Sequence, residues 1–292
     1  MFIPAGVTAS SIGDLLDHFP TSVHSAFSVR RFNSYTGFAA RIRRTTDDVE
    51  ADLYYDDTGD LSFDSPVSNF SASSSSTNLG EFMSVDGYTD QDSVGDTASR
   101  VVTWKDQSGN GRDVTNATEA YQPLLFNIDT LTTQNGVTAF DFASDMLQHS
   151  DASSYSQPNT YIAVVQSDGT SGNVYFTDGD GSGGRQLMTH SSNYKQLWAA
   201  AFGASSDASD TDQHLWFCVF DGTNSNMHID GGSNVMTGNA GTQAQSGLTI
   251  GARYSGSNAW NGRIQEIIYY TGDHEATRAG MEFDVNRYYS IY

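Results

Sequence analysis

From residue 100 to 272 the chain never runs apolar for long before a Gly, Asn, Asp or Ser interrupts it, and that rhythm limits it to short strands joined by turns. Asn135-Gly136 introduces an apolar run at 137–142, another at 161–166 follows Pro158, and 174–177 leads into Asp178-Gly179-Asp180-Gly181. Further runs at 196–202, 215–220, 227–229, 248–252 and 264–270 are predicted strands, two of them closed by Asp221-Gly222 and Asp230-Gly231. Charged residues are only 17% and aromatics reach 12%, a balance that favours strands and turns over long helices. The fold class expected is all-β, an antiparallel β-sandwich of concanavalin A-like or laminin-G jelly-roll type.

The two ends depart from this rhythm. Ser11 can cap a helix over 11–20 in which Ile12, Leu15, Leu16 and Phe19 share one face before Pro20. Such a short helix is marginal alone, so residues 1–22 are expected to be an assembly segment preceding a domain of residues 23–292. At the other end Asp273 can cap a helix carrying Met281, Val285, Tyr288 and Tyr292 on one stripe, laid on a sandwich edge. Residues 64–98 are expected to be long polar loops, with a serine run at 73–76 and an Asp-rich stretch after 84.

The net charge of −21 is unevenly spread. Residues 1–45 hold Arg30, Arg31, Arg41, Arg43 and Arg44 against Asp14 and Asp17, so the remainder is strongly acidic and would repel nucleic acid and anionic membranes. Those arginines lie in alternating strand-like sequence and are expected to pair with the protein's own carboxylates or to dock an acidic neighbouring subunit. Cys218 is the only cysteine, so no internal disulfide is available, and its apolar run makes it a buried small hydrophobe. Residues 1–20 lack the basic start and apolar run of a Sec-type signal, and no stretch is apolar enough to span a bilayer. No membrane insertion is expected.

Two blocks carry a family likeness. Trp104-Lys105-Asp106-Gln107-Ser108-Gly109-Asn110-Gly111-Arg112-Asp113 is dense in turn formers, so an ordered loop with Asp106, Ser108, Gly109, Asn110 and Gly111 as structural residues is expected there. Upstream stand the block from His24 to Phe32, Tyr35-Thr36-Gly37, and Ala40 to Asp48. In this order they resemble the amino-terminal part of the arabinofuranosidase B catalytic domain, and more closely the laminin-G-like domains of bacteriophage virion proteins. The first resemblance implies sugar chemistry, the second a structural or adhesive part of a virion.

Glycosidases need two carboxyl groups facing one sugar, usually with a glutamate among them. The arabinofuranosidase resemblance implies a catalytic glutamate in the central strands and a neighbouring cysteine pair. Here no glutamate occurs between Glu119 and Glu266, and there is one cysteine. Glu266 alternates with Ile264 and Ile268, which points to a buried structural carboxylate. Asp178 and Asp180 place oxygens at alternate positions as at the start of a Ca²⁺ loop, yet Thr189 occupies the twelfth position where an EF-hand needs glutamate. They are weak metal candidates, and Ca²⁺ is the only cofactor considered. The seven histidines show no zinc-like spacing, and nucleophile-elbow, phosphate-loop and dinucleotide motifs are absent.

What remains is aromatic. Tyr254, Trp260, Tyr194 and Trp198 stand in or beside Gly/Ser/Asn-rich stretches, and they are the ligand-binding candidates, with Tyr254 and Trp260 expected to be exposed. The sequence is therefore read as a non-enzymatic virion protein, a capsid decoration, head-fibre or tail-fibre subunit released by lysis. Its expected partners are other virion proteins, copies of itself in a homo-oligomer, and host-surface glycans. The alternative is a glycoside hydrolase or depolymerase of the arabinofuranosidase type.

Overall fold

The computed structural model describes residues 22–32, 35–84, 97–128, 130–170, 174–181, 184–190 and 194–292. The expected assembly helix, with Ile12, Leu15, Leu16 and Phe19, lies outside the described residues. The structure is nearly all β, and among the described residues the strands pair antiparallel with one another, apart from an isolated parallel bridge between Tyr175 and Ala259.

Its axis is the strand Asn159–Ser167, all nine residues of which are buried. A strand this uniformly buried must be covered on both faces and both edges. Gln213–Phe220 pairs along one edge and Asn261–Thr271 along the other. The far edge of Asn261–Thr271 is shared end to end by Val23–Ser28, beside Glu266 to Tyr270, and by Phe140–Ala143, beside Asn261 to Ile264. A second run of pairing passes from Leu147–Tyr155 to Gln245–Ile250, Val174–Asp178, Leu187–His190, Tyr194–Trp198 and Phe202–Ala208. The two runs meet through Ala98–Trp104, which reaches Leu147–Tyr155 by way of Val114–Thr115 and Phe140–Ala143 by way of Leu124–Asn127. The sheet thus nearly closes on itself around Trp104, Trp216, Trp260, Phe27 and Phe140. Near-closure removes most of the free edges that would otherwise template aggregation.

One bulge re-aims a charged side chain. Val164 pairs with Glu266 but Val165 with Ile264, so Gln265 is the extra residue. Glu266 turns fully inward, where Arg30 grips it with Nε at 2.8 Å and Nη2 at 3.1 Å while Ser28 and Tyr289 donate to it. The carboxylate that alternation had marked as buried is a cross-link between the first strand, the last strand and the carboxyl-terminal helix. The arginines of Ala40–Arg44 pair internally as well, Arg41 with Glu50 and Asp52, Arg44 with Asp47.

Three sequence expectations need correction. The run at 196–202 is two strands, because the chain turns at 199–201 with Ala200 at φ 87°. The 64–98 stretch, as far as it is described, contains the strand Val67–Ser68 and the four-residue helix Leu79–Phe82, capped by Asn78. The final helix, Arg278–Tyr289, is preceded by a 3₁₀ turn at Glu275–Thr277, and Asp273 accepts from the Glu275 amide of that turn instead of capping the helix. It packs on Gln213–Phe220, an interior strand, not on an edge. Its buried side is Met281, Glu282, Val285 and Tyr289; Ser290, left-handed at φ 53°, ends it before Tyr292.

Glu282 is the anomaly on that side. Arg278 Nη1 donates to Oε2 at 2.6 Å, but buried Oε1 has no partner, and burial pushes the carboxyl up to about 7 in spite of Arg278.

Candidate functional site

The loop flagged in the sequence positions the first part of the site. Asp106 Oδ1 accepts from the amides of Ala26 and Ser108, and its Oδ2 from the Ser108 hydroxyl and the Arg112 amide. Gly109 and Gly111 have φ of 82° and 71°, a region open to glycine at little cost. Asn110 Nδ2 donates to the carbonyls of Val23 and His24. The loop is thereby fastened to the first strand, and it holds Arg112 with Nη1 on the His24 carbonyl at 3.0 Å.

From there Arg112 reaches Asp151. Its Nε lies 3.2 Å from Asp151 Oδ1, and its Nη2 donates to Tyr155 Oη at 2.9 Å. His149 Nε2 stands 3.4 Å from the same Asp151 oxygen. The other ring nitrogen of His149, Nδ1, lies 3.2 Å from the Asp113 carbonyl. A carbonyl can only accept, so Nδ1 is the donor of that contact and Nε2 is the ring nitrogen turned towards Asp151. His24 Nε2 is 3.1 Å from Asp151 Oδ2 but misaligned for a hydrogen bond. Burial and then Arg112 lower His24 to about 4 against the pull of Asp151, so His24 is neutral at pH 7. Its ring packs edge-on to Tyr155 and against Tyr269, which is stacked on Tyr161.

Asp180 completes the pair of carboxylates. Its amide donates to the Ser246 carbonyl, and its Oδ2 accepts from the Asp151 amide at 3.2 Å. This approach depends on Gly247 at φ 57°, because a Cβ there would fall 2.4 Å from the His149 carbonyl and 2.6 Å from the Asp180 side chain.

The aromatic candidates lie on the other flank of Asp180. Asp178 is fully buried; it accepts from the amides of Gly179 and Tyr254 and is gripped by Arg185 through Nε and Nη2. The Arg185 guanidinium carbon lies 4.8 Å from the Tyr254 ring centre and 5.2 Å from that of Trp198. Tyr254 and Trp198 are therefore brought together around a cation that the sequence reading did not weigh. The Tyr254 ring also lies so close to Gly181 that a Cβ there would fall 2.3 Å from it. Tyr194 is exposed at the opposite end of the Tyr194–Trp198 strand.

Two expectations fail here. Trp260 is fully buried rather than exposed: its indole donates to the Gln166 carbonyl, and its ring meets Phe176 edge-on at 5.1 Å. The exposed Gly/Ser turn beside it ends one residue earlier, and the Trp260 amide is already bonded to Gly251. Asp178 has no free oxygen for a cation, since a guanidinium occupies both; and among the described residues no group of three or more His, Cys, Asp or Glu could hold a metal ion.

No protein-family model matches the chain, and no curated protein matches it in sequence. Solved structures do match. An arabinofuranosidase complexed with arabinofuranosyl-α-1,2-xylobiose superposes with a TM-score of 0.65 at 13% identity, covering 93% of this chain and 64% of that one. A GH54 α-L-arabinofuranosidase soaked with a cyclic sulfate inhibitor gives 0.64 at 16% identity with the same coverage. The chain shares its fold with arabinofuranosidases. It spans 64% of the length of those enzymes. The expectation of a non-enzymatic virion protein for decoration or fibres is thereby overturned, because the fold shared over 93% of the chain is one that glycoside hydrolases use.

Proposed function

We propose that the chain is a glycoside hydrolase of the arabinofuranosidase type, with Asp151 and Asp180 as its reacting carboxylates. The observation that carries the reading is their meeting at one rim, Asp180 on the Asp151 amide, in a fold shared with arabinofuranosidases. Cleaving a glycosidic bond takes one group that protonates the leaving oxygen and one carboxylate that attacks the sugar or activates water. Asp151, with His149 Nε2 3.4 Å from its Oδ1 as the neighbour that would exchange a proton with it, takes the first role. Asp180, half-buried beside it, suits the second. Arg112, His24 and Tyr155 position Asp151, while Tyr254 and Trp198 form the adjoining aromatic wall for sugar faces. The same reading takes the two runs of paired strands as the faces of a jelly-roll sandwich. Aspartate in place of the expected central glutamate leaves the chemistry unchanged in kind, since either side chain supplies a carboxylate.

Turnover of 4-nitrophenyl α-L-arabinofuranoside tests this. The native sequence should release nitrophenol, and Asp180→Asn and Asp151→Asn should each lower kcat by about 10²–10⁴-fold with melting unchanged. Full activity in Asp180→Asn, or no turnover by the native sequence, would refute it.

A further inference from the structure

A second polar cleft lies towards the opposite end of the Asn261–Thr271 strand from Tyr269, which packs on His24; Arg263 and Tyr269 are on the order of 20 Å apart along the strand. It encloses about 450 Å³, within the size range of small-molecule sites. Asp141 and Arg263, cross-strand partners on Phe140–Ala143 and Asn261–Thr271, form its wall. Asn127, Thr130, Thr132 and Thr133 bring an amide and three hydroxyls from the neighbouring hairpin, and Leu124 and Leu131 supply the apolar lining.

The polar groups of this cleft are unspent. Among the described residues, the Asp141 carboxylate accepts no hydrogen bond, and the side chains of Asn127, Thr130, Thr132 and Thr133 make none. Arg263 is held in place by Asp168 and by Gln166, both bonded to Nη1, which leaves its Nε and Nη2 donors for a ligand. Burial raises the Asp141 carboxyl above its ordinary range, Arg263 opposing and Asp168 reinforcing the shift. A half-buried carboxylate without a donor is costly unless something else supplies one. Acceptor, fixed donors and adjacent hydroxyls in one cleft are what vicinal diols require. The charge argues the same way: Asp168 already neutralises Arg263, and the protein carries −21, so an anionic ligand would find no free cation here.

We propose that the Asp141 cleft binds a neutral sugar residue, at a site separate from the Asp151 and Asp180 rim. Bound there, one residue of a glycan would anchor the chain while another reaches the rim.

The test uses the full chain carrying Asp180→Asn, so that no turnover interferes, with L-arabinose, D-xylose and D-galacturonate as probes followed by amide chemical shifts. A neutral sugar should give saturable shifts at Thr132, Thr133 and Asp141. Adding Asp141→Asn should weaken binding about tenfold or more, as expected for losing a charged acceptor. Thr133→Val, on the exposed rim, should weaken it less and serves as the second variant should Asp141→Asn fail to fold. Shifts confined to Asp151 and its neighbours, tighter binding of galacturonate than of the neutral sugars, or no shift with any probe would overturn the proposal. None of these outcomes depends on whether the rim is catalytic, which the nitrophenyl assay decides separately.

Discussion

Replacing Glu282 by glutamine should make the protein more stable at neutral pH. The Glu282 carboxyl is ordinarily near 4.5 but is pushed to about 7 in the fold, first by burial, with Arg278 opposing. Between those two values the unfolded chain carries the charge and the folded chain carries the proton. Stability is therefore fully present below about 4.5 and is lost as pH rises towards 7. At about 1.4 kcal/mol per pH unit the loss is on the order of 3 kcal/mol by pH 8. The ion pair with Arg278 works the other way, but Arg278 is partly solvated and an i,i+4 pair contributes only about 0.3–0.5 kcal/mol. Burial wins. The glutamine side chain of the variant stays neutral throughout, so the two proteins should melt together at pH 4.5 and separate by roughly 5–10 °C at pH 8, the variant higher. Thermal melts of both proteins at pH 4.5, 6 and 8 measure this difference, in which titrations common to both cancel. A gap that does not change with pH, or a variant that falls behind as pH rises, would refute the argument and make the Arg278 pair the dominant interaction.

Trp260→Ala should cost about 3–5 kcal/mol in urea unfolding, the range for emptying a buried aromatic site, and a variant as stable as the parent would contradict its place in the core. Gly247→Ala forces a Cβ against Asp180 and the His149 carbonyl at positive φ, so arabinofuranoside turnover should fall at least about tenfold, while an unaffected kcat would detach Gly247 from the site.

The turns were the most legible part of the chain. Asp221-Gly222 and Asp230-Gly231 end strands as expected, and the Asp106 loop shows why: Asp, Ser and Asn side chains satisfy the backbone within a few residues, so local sequence suffices to specify them. The site was much less legible. Asp151 stands in a serine-rich segment with no local signal, and its partners come from segments as distant as His24 and Arg112. Only strand pairing brings these together. Nothing in the sequence singles out which aspartates meet, for the same reason, and Trp260 turns inward in spite of its four polar neighbours, which do not decide which way the next side chain points. Tyr254 and Trp198, chosen separately for their surroundings, do converge, through Arg185.

The grip of Asn110 and Arg112 on the carbonyls of Val23 and His24 has a practical bearing on how the protein can be handled. The first strand, Val23–Ser28, is thereby fixed beside Asp151, so a probe or linker attached at Ser22 or Val23 sits at the mouth of the rim. Attachment at Tyr292, which packs by the turn at Gly231, leaves from the helix that covers the Gln213–Phe220 strand. Immobilisation through Tyr292 should leave the rim accessible to long glycans, whereas a short tether placed at Ser22 should obstruct them and spare small glycosides.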